Sequence, residues 1–288
     1  MRTWHCLIGI LAILAGMPSW ASSCNAVTTD AGHLLDDGYA ALYDLDFERG
    51  DTLFVKWEAQ HPENALGPAS RASGYLFQEF ERLGVLRSEL FTEDANFQGR
   101  KRLSASGELK ARFQQQLALA NKLADEELAR NPSSVDALLA KALANGLQAD
   151  YAAMIEKRDG PALSFTKEGR RWAERLLAAD ASCYDAYLAL GIENYLVLVK
   201  PLLVRWIAQL GGARADRKQG IHELTLTAQK GRLFEPFAKL LLAVAALRDR
   251  DPGTARQLLT ELHQQFPHNS LYEYELTRLG QISANGTQ

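Results

Sequence analysis

Apolar residues recur at three- and four-residue spacing along most of this chain, the period of a helix with one buried face. Leu35, Tyr39, Leu42 and Tyr43, then Leu53, Phe54 and Trp57, lie on either side of the polar stretch Asp44 to Asp51 and predict a helical hairpin over 34–62. His61-Pro62-Glu63-Asn64 closes it, because proline disfavours helical geometry in the residue before it and cannot donate to the preceding turn. A third helix is predicted from Ala69 to Leu90, with Tyr75, Leu76, Phe80, Leu83 and Leu86 on its buried stripe. The polar stretch Thr92 to Ser106 holds Arg100-Lys101-Arg102, which reads as a solvated loop or helix start. Ser106 then caps a long helix from Gly107 to Arg130.

Asn131-Pro132-Ser133-Ser134 stops that helix and starts another at Val135, carrying Ala142, Leu143 and Leu147. Asp159-Gly160-Pro161 predicts a turn, and Lys167 to Ala179 an amphipathic helix with Trp172, Leu176 and Leu177 inward. In the next helix, opening at Tyr184, Gly191 is expected to let a paired helix come close and Tyr187 to fill the adjoining groove. Tyr195 to Leu210 is apolar but broken by Lys200, Pro201 and Arg205, so a buried hairpin is expected there rather than a membrane span. A helix from Gln219 to Lys230 follows, then a hairpin of Pro236–Leu247 with Asp251–Phe266, a terminal helix around 271–279 and a frayed tail at 281–288.

Three helix endings share one phase: Phe54-x-x-Trp57-x-x-x-x-Pro62, Ala124-x-x-Glu127-x-x-x-x-Pro132 and Leu259-x-x-Leu262-x-x-x-x-Pro267. Such recurrence marks stacked helix pairs, each burying its apolar face only against its neighbours. The segments resemble tetratricopeptide repeats. Tyr187-x-x-Leu190-Gly191 follows Ala181 at the spacing the family uses between its terminal proline and the next aromatic position. Ala255 stands upstream of Pro267 where the family has a small residue, and Ala243 and Ala246 fall on its first-helix positions. Pro62 and Pro132 are separated by close to two repeats of about 34 residues, and extra residues lie between the Tyr187 and Phe237 helices. The resemblance implies an all-α, right-handed solenoid of αα-hairpins over 34–280, a divergent exported bacterial member that binds an extended peptide or partner helix on a concave face rather than catalysing.

Composition refines this picture. With 47% hydrophobic and 23% charged residues the chain has the make-up of a folded domain. A net charge of -3 gives no broad attraction to nucleic acid, and no nucleic-acid partner is expected. Arg2, the apolar run Leu7 to Gly16 and Ser19-Trp20-Ala21 predict a signal peptide over 1–21, hence export to the periplasm. Ala21-Ser22-Ser23-Cys24 also resembles a lipobox. If 1–23 is the leader, Cys24 is lipidated and tethers a membrane-facing assembly factor. Without the leader only Cys24 and Cys183 remain, and the alternative is one disulfide between them, which lipidation of Cys24 excludes.

Candidate chemistry is sparse. Gly211-Gly212-Ala213-Arg214 lacks the spacing of a phosphate loop, and His263 and His268 lack the spacing of a helical metal pair, so no cofactor or metal is expected. Cys183 has no neighbouring base and reads as a small buried residue. The acidic run Asp44 to Glu48 reads as a solvated turn. The expected function is a non-catalytic binding or scaffold protein of the envelope; the rival is an enzyme whose site is assembled from distant residues. Arg170, Arg171, Asn194 and Lys239 are the candidate partner-binding residues near first-helix or inter-repeat positions. Asn145 and Asn194 share one first-helix phase and are the preferred contacts to a partner backbone, against plainer capping or core roles.

Overall fold

The computed structural model describes Cys24 and residues 30–86, 102–199 and 216–285. The signal-peptide stretch 1–21, most of the apolar stretch 195–210, Arg100 and Lys101 of the basic triplet and the last residues of the tail lie outside them. Among the described residues the protein is all-helical, without a strand, and no described helix is long and apolar enough to cross a membrane.

Helices α1 (Asp30–Tyr43) and α2 (Phe47–Gln60) form the expected hairpin, but its turn is only three residues long. Leu45 reverses the chain at φ 63°, and the Asp46 carboxylate accepts from the Arg49 N–H at 3.1 Å, so α2 starts at Phe47. Helix α3 (Leu66–Arg82) begins three residues earlier than the pattern suggests, with Pro68 accommodated in its first turn. Helix α4 (Gly107–Arg130) has the expected bounds because Ser106 Oγ accepts from the Leu109 N–H. Helix α5 (Val135–Asp150) runs on as a π turn over Tyr151–Ile155.

Asp159-Gly160-Pro161 is not a turn. It is the first turn of α6 (Asp159–Ala179), where proline costs no hydrogen bond, and the reversal sits upstream at Lys157, φ 53°. After a 3₁₀ turn (Tyr184–Ala186) come α7 (Tyr187–Val199), α8 (Arg217–Lys230), α9 (Glu235–Arg248), α10 (Pro252–Gln265) and α11 (Ser270–Asn285). Helix α11 outlasts the expected 271–279 and takes in part of the expected tail.

Four of the turns between helices are copies of one another. The residues closing α2, α4, α6 and α10 are His61, Asn131, Asp180 and Phe266, with φ/ψ of −133/60°, −135/91°, −145/96° and −130/73°. In each, the N–H three residues on donates back to the closing carbonyl: Asn64 to His61 at 3.0 Å, Ser134 to Asn131 at 3.0 Å, Cys183 to Asp180 at 3.1 Å and Asn269 to Phe266 at 3.2 Å. Pro62, Pro132 and Pro267 occupy the second position of three of them, and Ala181 the same position in the fourth. Between Pro62 and Pro132 the described residues hold α3 and α4, with 87–101 outside them; between Ala181 and Pro267 they hold α7 to α10, with 200–215 outside them and a turn of different form at Gly231 (φ −65°, ψ 154°) between α8 and α9.

Each helix packs on its chain neighbours, α5 on α6 and α7 on α8 most extensively. The main core draws Tyr39, Phe54, Ala124, Leu138, Leu176, Leu224 and Phe234 from helices far apart in the chain. Leu138, Leu176 and Leu224 are at most 1% exposed, and burying each contributes about 2–3 kcal/mol. A second cluster joins Phe80 and Phe113 to Tyr151 and Ile155, with the Phe113 and Tyr151 rings stacked at 5.2 Å.

The N-terminal segment lies across the turn ends of the later helices. Cys24 is disulfide-bonded to Cys183 in the third equivalent turn. Asp36 holds the Arg232 guanidinium at 2.8 Å, and the Tyr43 hydroxyl donates to the Leu233 carbonyl at 2.9 Å. At the fourth equivalent turn Asp44 accepts from the His268 N–H at 2.9 Å, and Asn269 donates to the Tyr43 carbonyl at 2.7 Å. Helix α1 is therefore tied to the turns before α9 and α11.

Candidate functional site

Helices α7 and α8 cross almost in backbone contact. A Cβ on Gly191 would lie 2.8 Å from Leu224 Cγ and 3.0 Å from its backbone nitrogen, and one on Gly220 would lie 2.9 Å from the Tyr195 nitrogen. The close approach expected of Gly191 is thus met by a second glycine on the partner helix. It carries the next residues along both helices, Glu193 and Asn194 on α7 and Gln219 and Glu223 on α8, into one polar cluster with Arg170 and Glu174 of α6.

Glu223 is 3% exposed, accepting from Asn194 Nδ2 at 2.7 Å and from Gln219 Nε2 at 2.9 Å. Asn194 Oδ1 receives Arg170 Nη1 at 3.3 Å. Arg170 Nε donates to Glu174 at 2.8 Å, and Nη1 stands 3.5 Å from Glu193 Oε2. That oxygen is buried and has no hydrogen-bond partner. Burial pushes the Glu193 carboxyl above the usual carboxylate range, with Arg170 and then Lys167 pulling it down. Three carboxylates thus surround one guanidinium, which keeps 30% of its side chain exposed at the solvent edge.

The candidate residues separate accordingly. Arg170 and Asn194 are brought together, while Asn194 is a core residue at 4% exposure rather than a surface one. Asn145 is also buried, on α5, and donates to the Lys141 carbonyl of its own helix at 2.8 Å. Its Cβ lines the α5–α6 crossing at Gly169, away from the cluster. Arg171 is exposed and paired with Glu168. Lys239 bridges α9 and α10 through Glu235 at 2.7 Å and Glu261 at 3.3 Å. Sequence reasoning passed over Glu193, Gln219 and Glu223. Gln219 and Glu223 carry a local signal in their i,i+4 spacing, whereas Glu193 becomes their neighbour only through the glycine crossing.

Two further features bear on chemistry. Asp150, where α5 becomes a π turn, has its carboxyl pushed up to about 7 by burial alone. Cys24 spends its sulfur on the disulfide to a fully buried Cys183, and a lipid thioether would require the same atom. Among the described residues no group of three or more His, Cys, Asp or Glu is arranged to hold a metal ion.

The chain matches no family model, no curated protein and no solved structure.

Proposed function

We propose that this protein is a non-catalytic, peptide- or protein-binding scaffold of the cell envelope, built as a divergent tetratricopeptide-like array. The observation that carries the reading is the set of four like turns, each closing a helix with similar φ/ψ at its capping residue and the same backbone hydrogen bond. Repetition of one turn along a helical chain is how solenoids are made, and their use is recognition by side chains presented from successive helices. The buried Cys24–Cys183 disulfide, together with the signal-like first residues, supports an oxidising, extracytoplasmic location. The α6–α8 cluster is the preferred contact: its solvent-edge arginine is held by Glu174 at 2.8 Å and by the buried Asn194 at 3.3 Å beside the buried Glu193, an arrangement suited to a polar partner group.

The test is affinity capture by the exported protein from envelope extract, in parallel with the Arg170→Ala variant, with mass spectrometry of the bound proteins. A stoichiometric partner held by the wild type and lost by a folded Arg170→Ala protein is expected. Turnover of a small molecule by the purified wild type, abolished by one polar substitution in the cluster, would replace this reading with an enzymatic one.

A further inference from the structure

The Cys24–Cys183 bond joins the segment before α1 to the third equivalent turn across 159 residues of chain, and neither sulfur-bearing residue is open to solvent: Cys24 is 6% exposed and Cys183 0%. A disulfide so covered is shielded from attacking thiolates, which makes it a lasting staple rather than a switch. Its formation is the informative step. The full sequence has 3 cysteines, and the third, Cys6, lies in the stretch read as signal peptide. Three cysteines allow three pairings, whereas removal of 1–21 leaves one.

We propose that the bond is made in the envelope by thiol–disulfide exchange with an oxidised dithiol oxidase, that loss of Cys6 with the leader makes the pairing unique, and that no disulfide isomerase is needed; the proposal rests on the export reading. One chain thiolate attacks the oxidase disulfide, forming a mixed disulfide and releasing one oxidase thiolate. The second chain thiolate then attacks the chain sulfur of the mixed disulfide, closing Cys24–Cys183 and releasing the second oxidase thiolate. Two electrons pass to the oxidase, and the two protons lost by the chain thiols end on its cysteines. Because Cys183 has no exposed surface in the folded protein, where it lies in the main core, the exchange precedes the packing of that core around it, so the oxidase meets the chain before this part of it is folded.

The test has two arms. Reduced, unfolded protein, either processed (22–288) or unprocessed (1–288), is refolded with one equivalent of oxidised dithiol oxidase and no isomerase, then trapped with maleimide and mapped by non-reducing peptide mass spectrometry. The processed chain is expected to give the Cys24–Cys183 peptide throughout. The unprocessed chain is expected to give mixed pairings, with the native one falling towards about a third, and Cys6→Ser in the unprocessed chain to restore it. Two free thiols in the processed chain, or an unprocessed chain that pairs as cleanly, overturns the proposal. In the second arm the full-length gene product is recovered from cells lacking either the envelope thiol oxidase or the isomerase. Free thiols in the first strain only are expected, and isomerase dependence overturns the proposal. Recovery of a cytoplasmic protein still carrying residues 1–21 refutes export separately, without touching the refolding result.

Discussion

Two buried carboxylates, two helical turns apart in the chain, are treated in opposite ways. Asp185, in the 3₁₀ turn before α7, receives the backbone N–H groups of Arg232, Leu233 and Phe234 at 3.0–3.2 Å and so caps the start of α9. Burial raises its pKa, and those three donors act against the rise. Glu193, on α7 itself, is nearly as buried, yet its Oε2 makes no hydrogen bond and faces the partly exposed Arg170 guanidinium at 3.5 Å. The contrast separates roles: a fully coordinated buried charge holds a shape, whereas one facing a solvent-edge cation without a hydrogen bond leaves interaction capacity for something else. Around Asp185 cluster the disulfide, the Asp36–Arg232 pair and the hydrogen bond from Thr227 to the Tyr184 carbonyl at 2.9 Å, all structural ties.

That division predicts that damage to the turn region unfolds the protein and damage to the cluster does not. The largest effect is expected from Cys24→Ser, which removes a cross-link closing a long loop and should cost about 3–5 kcal/mol in urea unfolding. Asp185→Ala, which strands two buried N–H donors and one part-buried one, is expected to cost about 3–4 kcal/mol by the same measurement. A loss below about 1 kcal/mol for Asp185→Ala would erase the distinction between the two carboxylates.

Asp150 sharpens the comparison as a third, unassisted case. Its folded pKa of about 7 lies above the ordinary 3.8, so the folded state holds its proton more tightly than the unfolded chain. The stability this contributes is complete below about pH 4 and is lost as pH rises through 7, an effect on the order of 2–4 kcal/mol. Asp150→Asn should flatten that slope in chemical unfolding curves taken between pH 4 and pH 8, and an unchanged slope would assign the pH dependence elsewhere. The smallest stability effect is expected for Glu193→Gln. Burial already disfavours its charge, so unfolding should move by less than about 1 kcal/mol, while capture of the partner falls. Retained capture would remove Glu193 from the recognition surface.

How much of this was legible beforehand follows from particular residues. Ser106, Asn131 and Pro267 mark helix ends within a residue or two, because caps and proline act through the nearest backbone groups. Asp159-Gly160-Pro161 misled, since the same residues that make a turn are also tolerated in a helix's first turn, and only Lys157 at positive φ decides between them. The recurring turn is visible in Pro62, Pro132 and Pro267, while its fourth copy at Ala181 has no proline to mark it. Proline phase reports a turn only where proline occupies its second position, and Ala181 fills that position as well because no backbone donor is needed or lost there. In the candidate site, helix position marks Arg170 and Asn194 but not Glu193 and Glu223, because their proximity is a property of two helices meeting.

What the sequence determined alone is therefore what acts over one or two helical turns: helical periodicity, the caps, the repeated turn chemistry and the presence of two cysteines outside the leader-like segment. The tertiary structure decided which distant groups share an environment. It laid α1 across the later turns, paired Cys24 with Cys183, and pressed Gly191 against α8 so that Glu193, Asn194 and Glu223 meet Arg170. The physical reason is range. Backbone dihedrals and capping hydrogen bonds are settled by neighbours in the chain, whereas burial and charge pairing depend on packing among residues that the chain order keeps far apart.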